Sequence, residues 1–91
     1  MNKPIIISNV TPDHVAAMLA ELSADKATRV VSTPGVPNEY EILGHGIVAK
    51  ATYSPTAQAL TVNVSSKPWV VTMGEIESEL TAALGSPDQK A

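Results

Sequence analysis

The chain has 91 residues, 44% hydrophobic and 16% charged, a balance that excludes disorder and describes one compact domain with a single core. A formal charge of −3, with Lys3, Arg29, Lys50, Lys67 and Lys90 scattered, argues against nucleic acid as a partner, and no unbroken apolar run approaches the roughly 18 residues that span a bilayer. With no cysteine there are no disulfides, thiolate metal sites or cysteine nucleophiles, and the chain is expected in the cytoplasm.

Ile5 to Ile7 reads as a first strand, with apolar groups on both of its faces. A helix start follows. Thr11 is placed to cap it, Pro12 fills the first helical position, and Asp13 puts negative charge at the positive end of the dipole. Val10 and Val15 stand at the two positions of a hydrophobic staple. Val15, Met18, Leu19 and Leu22 then form a one-faced stripe that stops near Ser23 to Lys26. Thr28 to Ser32 forms a second strand, closed by the breaker-rich "TPGVPN".

Tyr40 and Ile42 lead a strand into "LGHGIVAK". Beyond the glycines, Ile47, Ala49, Ala51 and Tyr53 alternate with Val48, Lys50 and Thr52; after "SPTAQ", Leu60, Val62 and Val64 alternate with Thr61, Asn63 and Ser65. A period of two with a turn between the runs describes an antiparallel hairpin. The last helix starts at Thr72 with Glu75 as its capping-box partner and Val71 with Ile76 as its staple. Ile76, Leu80, Ala83 and Leu84 are its apolar stripe, and Gly85 and Pro87 end it. Residues 1–85 thus make one α+β domain and residues 86–91 a polar C-terminal tail. The expected architecture is a two-layer sandwich: an antiparallel sheet of three to four strands with two helices on one face, in the order β-α-β-β-β-α.

His45, between Gly44 and Gly46, is the residue that most invites a chemical reading. Glycines in a strand pattern mark a bend, so the pair is expected either to kink one long strand or to split it into a hairpin. The functional alternative makes His45 a general base or ligand in space the glycines open. His14 forms no metal pattern with it, and neither a nucleophile elbow nor a phosphate-cradling glycine loop is present; no metal or cofactor is expected. Glu75, Glu77 and Glu79 suit the solvated first turns of a helix. In "SSKPWVV", Trp69 is expected to be core, closing one end of the gap between helix and sheet. Should it line a pocket instead, His45, Tyr53, Lys67 and Trp69 are the candidate binding residues.

The run "GHGIVAK", the hairpin ending in "LTVNVSSKPWVV" and the helix carrying "GEIESEL" give residues 28 to 84 a layout that resembles the small bacterial polyhydroxyalkanoic-acid-system (granule-associated) protein family. The resemblance implies a β-α-β-β-β-α arrangement and an accessory, non-catalytic role; it carries over no site residue. The expected function is a small non-enzymatic accessory or protein-interaction domain, homodimeric through the sheet face or an edge strand. Two alternatives stand beside it. One is a binder of a small apolar or lipid-like molecule between helices and sheet, using Tyr53, Trp69, Ala49 and Ala51; the other is a small enzyme with His45 as base.

Overall fold

The computed structural model describes residues 3–85, in which β1 (Ile5–Ile7), α1 (Pro12–Ala24), β2 (Thr28–Ser32), β3 (Glu39–Gly44), β4 (Ile47–Ser54), β5 (Ala59–Ser66) and α2 (Met73–Leu84) follow in order. The expected Pro87 stop and the tail at 86–91 lie outside the described residues. The class is α+β as expected, but the sheet has five strands rather than three to four, in the spatial order β1-β5-β4-β3-β2 with every pairing antiparallel. The extra strand has a local cause. His45 and Gly46 both have positive φ, 55° and 76°, and Gly44 pairs directly with Ile47, so the glycine-flanked segment is a two-residue hairpin turn of the type I′ kind. What could have been one kinked ribbon is therefore two strands.

Strand alternation sets the core. Ile5, Ile7, Ile42, Ala49, Ala51, Tyr53, Leu60, Val62 and Val64 are buried on the helix side and join Val15, Met18, Ile76, Leu80 and Leu84 in one cluster. Both helices thus cover the same face of the sheet. The opposite face is mostly polar: Thr61, Thr52 and Glu39 form one cross-strand row ending in Ile6, and Asn63, Lys50 and Glu41 form the next, ending in Val31. The isoleucine triplet resolves into two buried residues and one, Ile6, that is 61% exposed.

The caps are local and form as the residue types demand. Thr72 Oγ1 accepts from Glu75 N while Glu75 Oε1 accepts from Thr72 N, and Gly85 ends α2 in the left-handed region at φ 95°. At α1, Thr11 Oγ1 accepts from His14 N at 3.2 Å and His14 Nδ1 accepts from Thr11 N at 3.0 Å, so histidine takes the place usually held by Glu or Gln. A Cβ on Gly85 would lie 3.8 Å from the His14 ring, which sets the end of α2 beside the start of α1 and makes the helices antiparallel. No helix among the described residues is long and apolar enough to cross a membrane.

Candidate functional site

Three connections meet at the end of the sheet where β3 turns into β4. The first is the link from α1 to β2. Asp25 caps the C-terminus of α1, and its Oδ1 accepts from Ala27 N at 2.9 Å while Oδ2 accepts from Thr28 Oγ1 at 3.1 Å. The second is the 45–46 turn, from which His45 Nε2 donates to Asp25 Oδ2 at 2.7 Å. These fit together because position 44 is glycine: a Cβ there would lie 2.7 Å from Ala27 O and 2.9 Å from Thr28 Cα, so no other residue lets β2 approach so closely. The imidazole, then the Ala27 N–H, hold the Asp25 carboxyl below the usual carboxylate range.

The third connection runs from β5 to α2. β5 carries a bulge opposite Val48 and Ala49, with Ser65 Oγ donating to Val48 O at 3.1 Å, and beyond Ser66 the chain leaves the sheet. Pro68 packs on Gly46, and Val71 N donates to Pro68 O at 3.0 Å, closing a turn whose central residues are Trp69 and Val70. Central side chains of such a turn project away from the body. Trp69 is accordingly 89% exposed and Val70 61% exposed, which corrects the expectation that Trp69 is core.

That correction has a structural counterpart: the gap Trp69 was expected to close is open. A cleft of about 880 Å³ lies between the C-terminal end of α1, the N-terminal half of α2 and the sheet. Ile42, Ala49, Val62, Ile76 and Leu80 lie beneath it as a buried floor, and the half-buried Leu22, Ile47 and Val71 are the apolar side chains that reach its open part. The small side chain of Ala49 leaves room where Tyr53, two pairs along the same strand, fills it. Asp25, Thr28, His45, Thr72, Glu75, Ser78 and Glu79 supply the polar lining, and among the described residues no lysine or arginine contributes.

Of the four residues predicted to form a site, His45 alone lines this cleft. Lys67 is half-buried just outside, its Nζ donating to Val71 O at 2.6 Å and so bracing the third connection. Trp69 stands in solvent on the same connection. Tyr53 is at the other end of β4, six residues from Ile47 and so roughly 20 Å away at about 3.3 Å per residue; it is buried and its hydroxyl donates to Val10 O at 2.7 Å. His45, Tyr53 and Trp69 do not converge.

An imidazole steadied by a carboxylate can move a proton; of the lining hydroxyls, Thr28 Oγ1 is engaged with Asp25 and Thr72 Oγ1 with the cap of α2. With His45 61% exposed and Asp25 45% exposed, their contact is hydrated, and its clear structural effect is to fasten the turn to the end of α1. Among the described residues no group of three or more histidines and carboxylates could hold a metal ion. Sequence reasoning missed Asp25, Ile42 and Glu79 as lining residues, while the gap itself belongs to the alternative reading of a ligand between helices and sheet. The Asp-x-x-Thr spacing at a helix end does signal Asp25 as a local cap, but nothing in the sequence pairs it with a histidine 20 positions on. No family model, curated protein or solved structure matches the chain.

Proposed function

We propose that the protein is a small non-enzymatic accessory domain that binds a small, largely apolar molecule in the cleft between its helices and its sheet. The observation that carries this reading is the cleft itself, about 880 Å³ over a buried floor of Ile42, Ala49 and Val62, with the half-buried Leu22, Ile47 and Val71 along it. Ligand sites commonly measure roughly 300–1,000 Å³ and combine an apolar lining with a few polar groups, as this one does. The binding residues are therefore His45 with Ile42, Ile47, Ala49, Val71, Ile76 and Leu80, in place of the set built on Tyr53 and Trp69. A cytoplasmic setting, which a cysteine-free chain suits, belongs to the same proposal.

The test is a titration of the ¹⁵N-labelled protein with a panel of small apolar probes, followed by amide shifts. Saturable changes at Ala49, Val71 and Ile76 that vanish in Ala49→Leu support the reading. A panel that leaves those amides unmoved sinks it. Self-association is the second reading, and the specific feature in its favour is β2, an edge strand paired only with β3 and carrying the 40% exposed Val31. Light scattering at increasing concentration separates the two: a constant monomer mass removes the dimer without touching the cleft.

A further inference from the structure

The charges around the cleft select among apolar ligands, and we infer that its occupant is a small organic cation, an amine or comparable nitrogen base on a compact apolar body. The inference rests on the cleft being a binding site and goes on to name the ligand's charge. Asp25, Glu75 and Glu79 bring three carboxylates to the lining, against His45 in the lining and Lys67 at its edge, whose Nζ donates to Val71 O at 2.6 Å. With Lys67 counted, the side chains sum to −1 with the imidazole charged and to −2 with it neutral. The positive end of α2 offsets about half a charge and leaves the sign unchanged.

The same helix end might have been taken as an anion site, but its capping box argues otherwise. Glu75 N is satisfied by Thr72 Oγ1 and Thr72 N by Glu75 Oε1, so two of the donors an anion would use are occupied, one of them by a carboxylate. An anionic ligand would also meet Glu79 and Asp25, while the nearby Lys67 ammonium is engaged with Val71 O. Volume favours a small molecule over a peptide face, because about 880 Å³ in a concave site is the scale of a single compact ligand. The half-buried Leu22, Ile47 and Val71 take the body, and the carboxylates take the nitrogen.

Three probes of one shape make the test: 2-naphthylmethylamine, 2-naphthalenemethanol and 2-naphthoate, each titrated into the ¹⁵N-labelled protein at low salt and neutral pH. The amine should bind at the cleft amides roughly five-fold more tightly than the alcohol, the scale of one ion contact near a wet surface, with the carboxylate weakest. The amine's advantage should shrink in Glu79→Gln, which leaves the caps intact, and at high salt. Equal binding of all three in the cleft overturns the charge selection while leaving the cleft a binding site. Binding of none of them there overturns the choice of a cationic ligand together with the reading it rests on.

Discussion

The two ends of the sheet are fastened by the same kind of device and differ in what lies behind it. At the closed end Tyr53 reaches out of the core to donate to Val10 O, and Val10 N donates to Gln58 O at 2.8 Å, so the start of α1 is tied to the sheet through both groups of one residue. Val10, Leu60 and Leu84 are fully buried. At the open end His45 reaches across to Asp25 and ties the finish of α1 to a hairpin turn. Behind that tie is a cleft that lies over the buried core. A buried tie to a backbone carbonyl stabilises the fold, whereas an exposed tie between two charged-capable groups contributes little stability and sets the outline of a rim. Residues that hold the molecule together are thus concentrated at one end, and residues free to meet a ligand at the other.

The largest test of this contrast is Tyr53→Ala, which should cost about 3–5 kcal/mol in denaturant unfolding, the range for deleting a buried aromatic side chain. Tyr53→Phe should cost about 1–3 kcal/mol, since it strips the buried Val10 carbonyl of its donor. A loss below 1 kcal/mol for the alanine variant would mean that this end is not the packed one. A sharper test uses two alanines on one strand and one face. Ala51 is fully buried and outside the cleft, so Ala51→Leu should overpack and cost about 1–3 kcal/mol. Ala49 is also buried but faces the cleft, so Ala49→Leu should cost less than Ala51→Leu while abolishing ligand shifts. Equal penalties at both positions would erase the distinction between the ends.

A smaller effect separates the turn's backbone from its imidazole. His45 has φ 55°, a region glycine enters freely and alanine does not. His45→Ala should be about 1 kcal/mol less stable than His45→Gly, and His45→Gly should match the wild type within about 0.5 kcal/mol, because the tie it removes is hydrated. A large loss in the glycine variant would show the tie to be a fold determinant after all.

The legible parts of this molecule were those decided within a few residues. Thr11-Pro12-Asp13 and Thr72 with Glu75 specify helix starts because a cap closes over three positions, and the alternation through Leu60, Val62 and Val64 specifies a face because the strand period is two. His14 as a cap partner was within reach too, since it stands at the third helical position where a capping box needs an acceptor. The His45-Gly46 pair also carried a hairpin signal: histidine, with Asn and Asp, tolerates positive φ, and a glycine after it completes a type I′ turn. Trp69 went the other way because composition describes what is usually buried, whereas a turn closed between Pro68 and Val71 decides where this side chain points. Which residues line the cleft was out of reach for a deeper reason: its walls come from α1, β3, β4, β5 and α2, and no local pattern encodes the space between distant segments.

The smallest expected effect reads the Asp25 and His45 contact directly. The imidazole is the leading cause that lowers the Asp25 carboxyl from its ordinary value, followed by the Ala27 N–H. In His45→Gly the leading cause is gone and the second remains, so the Asp25 midpoint, followed by its side-chain carboxyl ¹³C shift, should move upward toward the ordinary aspartate value near about 4 without fully reaching it. The linkage follows from the sign of the shift. A carboxyl lowered in the folded state contributes stability that is present in full above the unfolded value, and the contribution is lost as pH falls, because the unfolded chain takes up its proton first. The wild type should therefore lose slightly more stability than His45→Gly on acidification below about pH 4, with the difference confined to that window. Identical Asp25 midpoints in the two proteins would show that the ring does not engage the carboxylate in solution, and the rim of the cleft would then be set by the Gly44 approach alone.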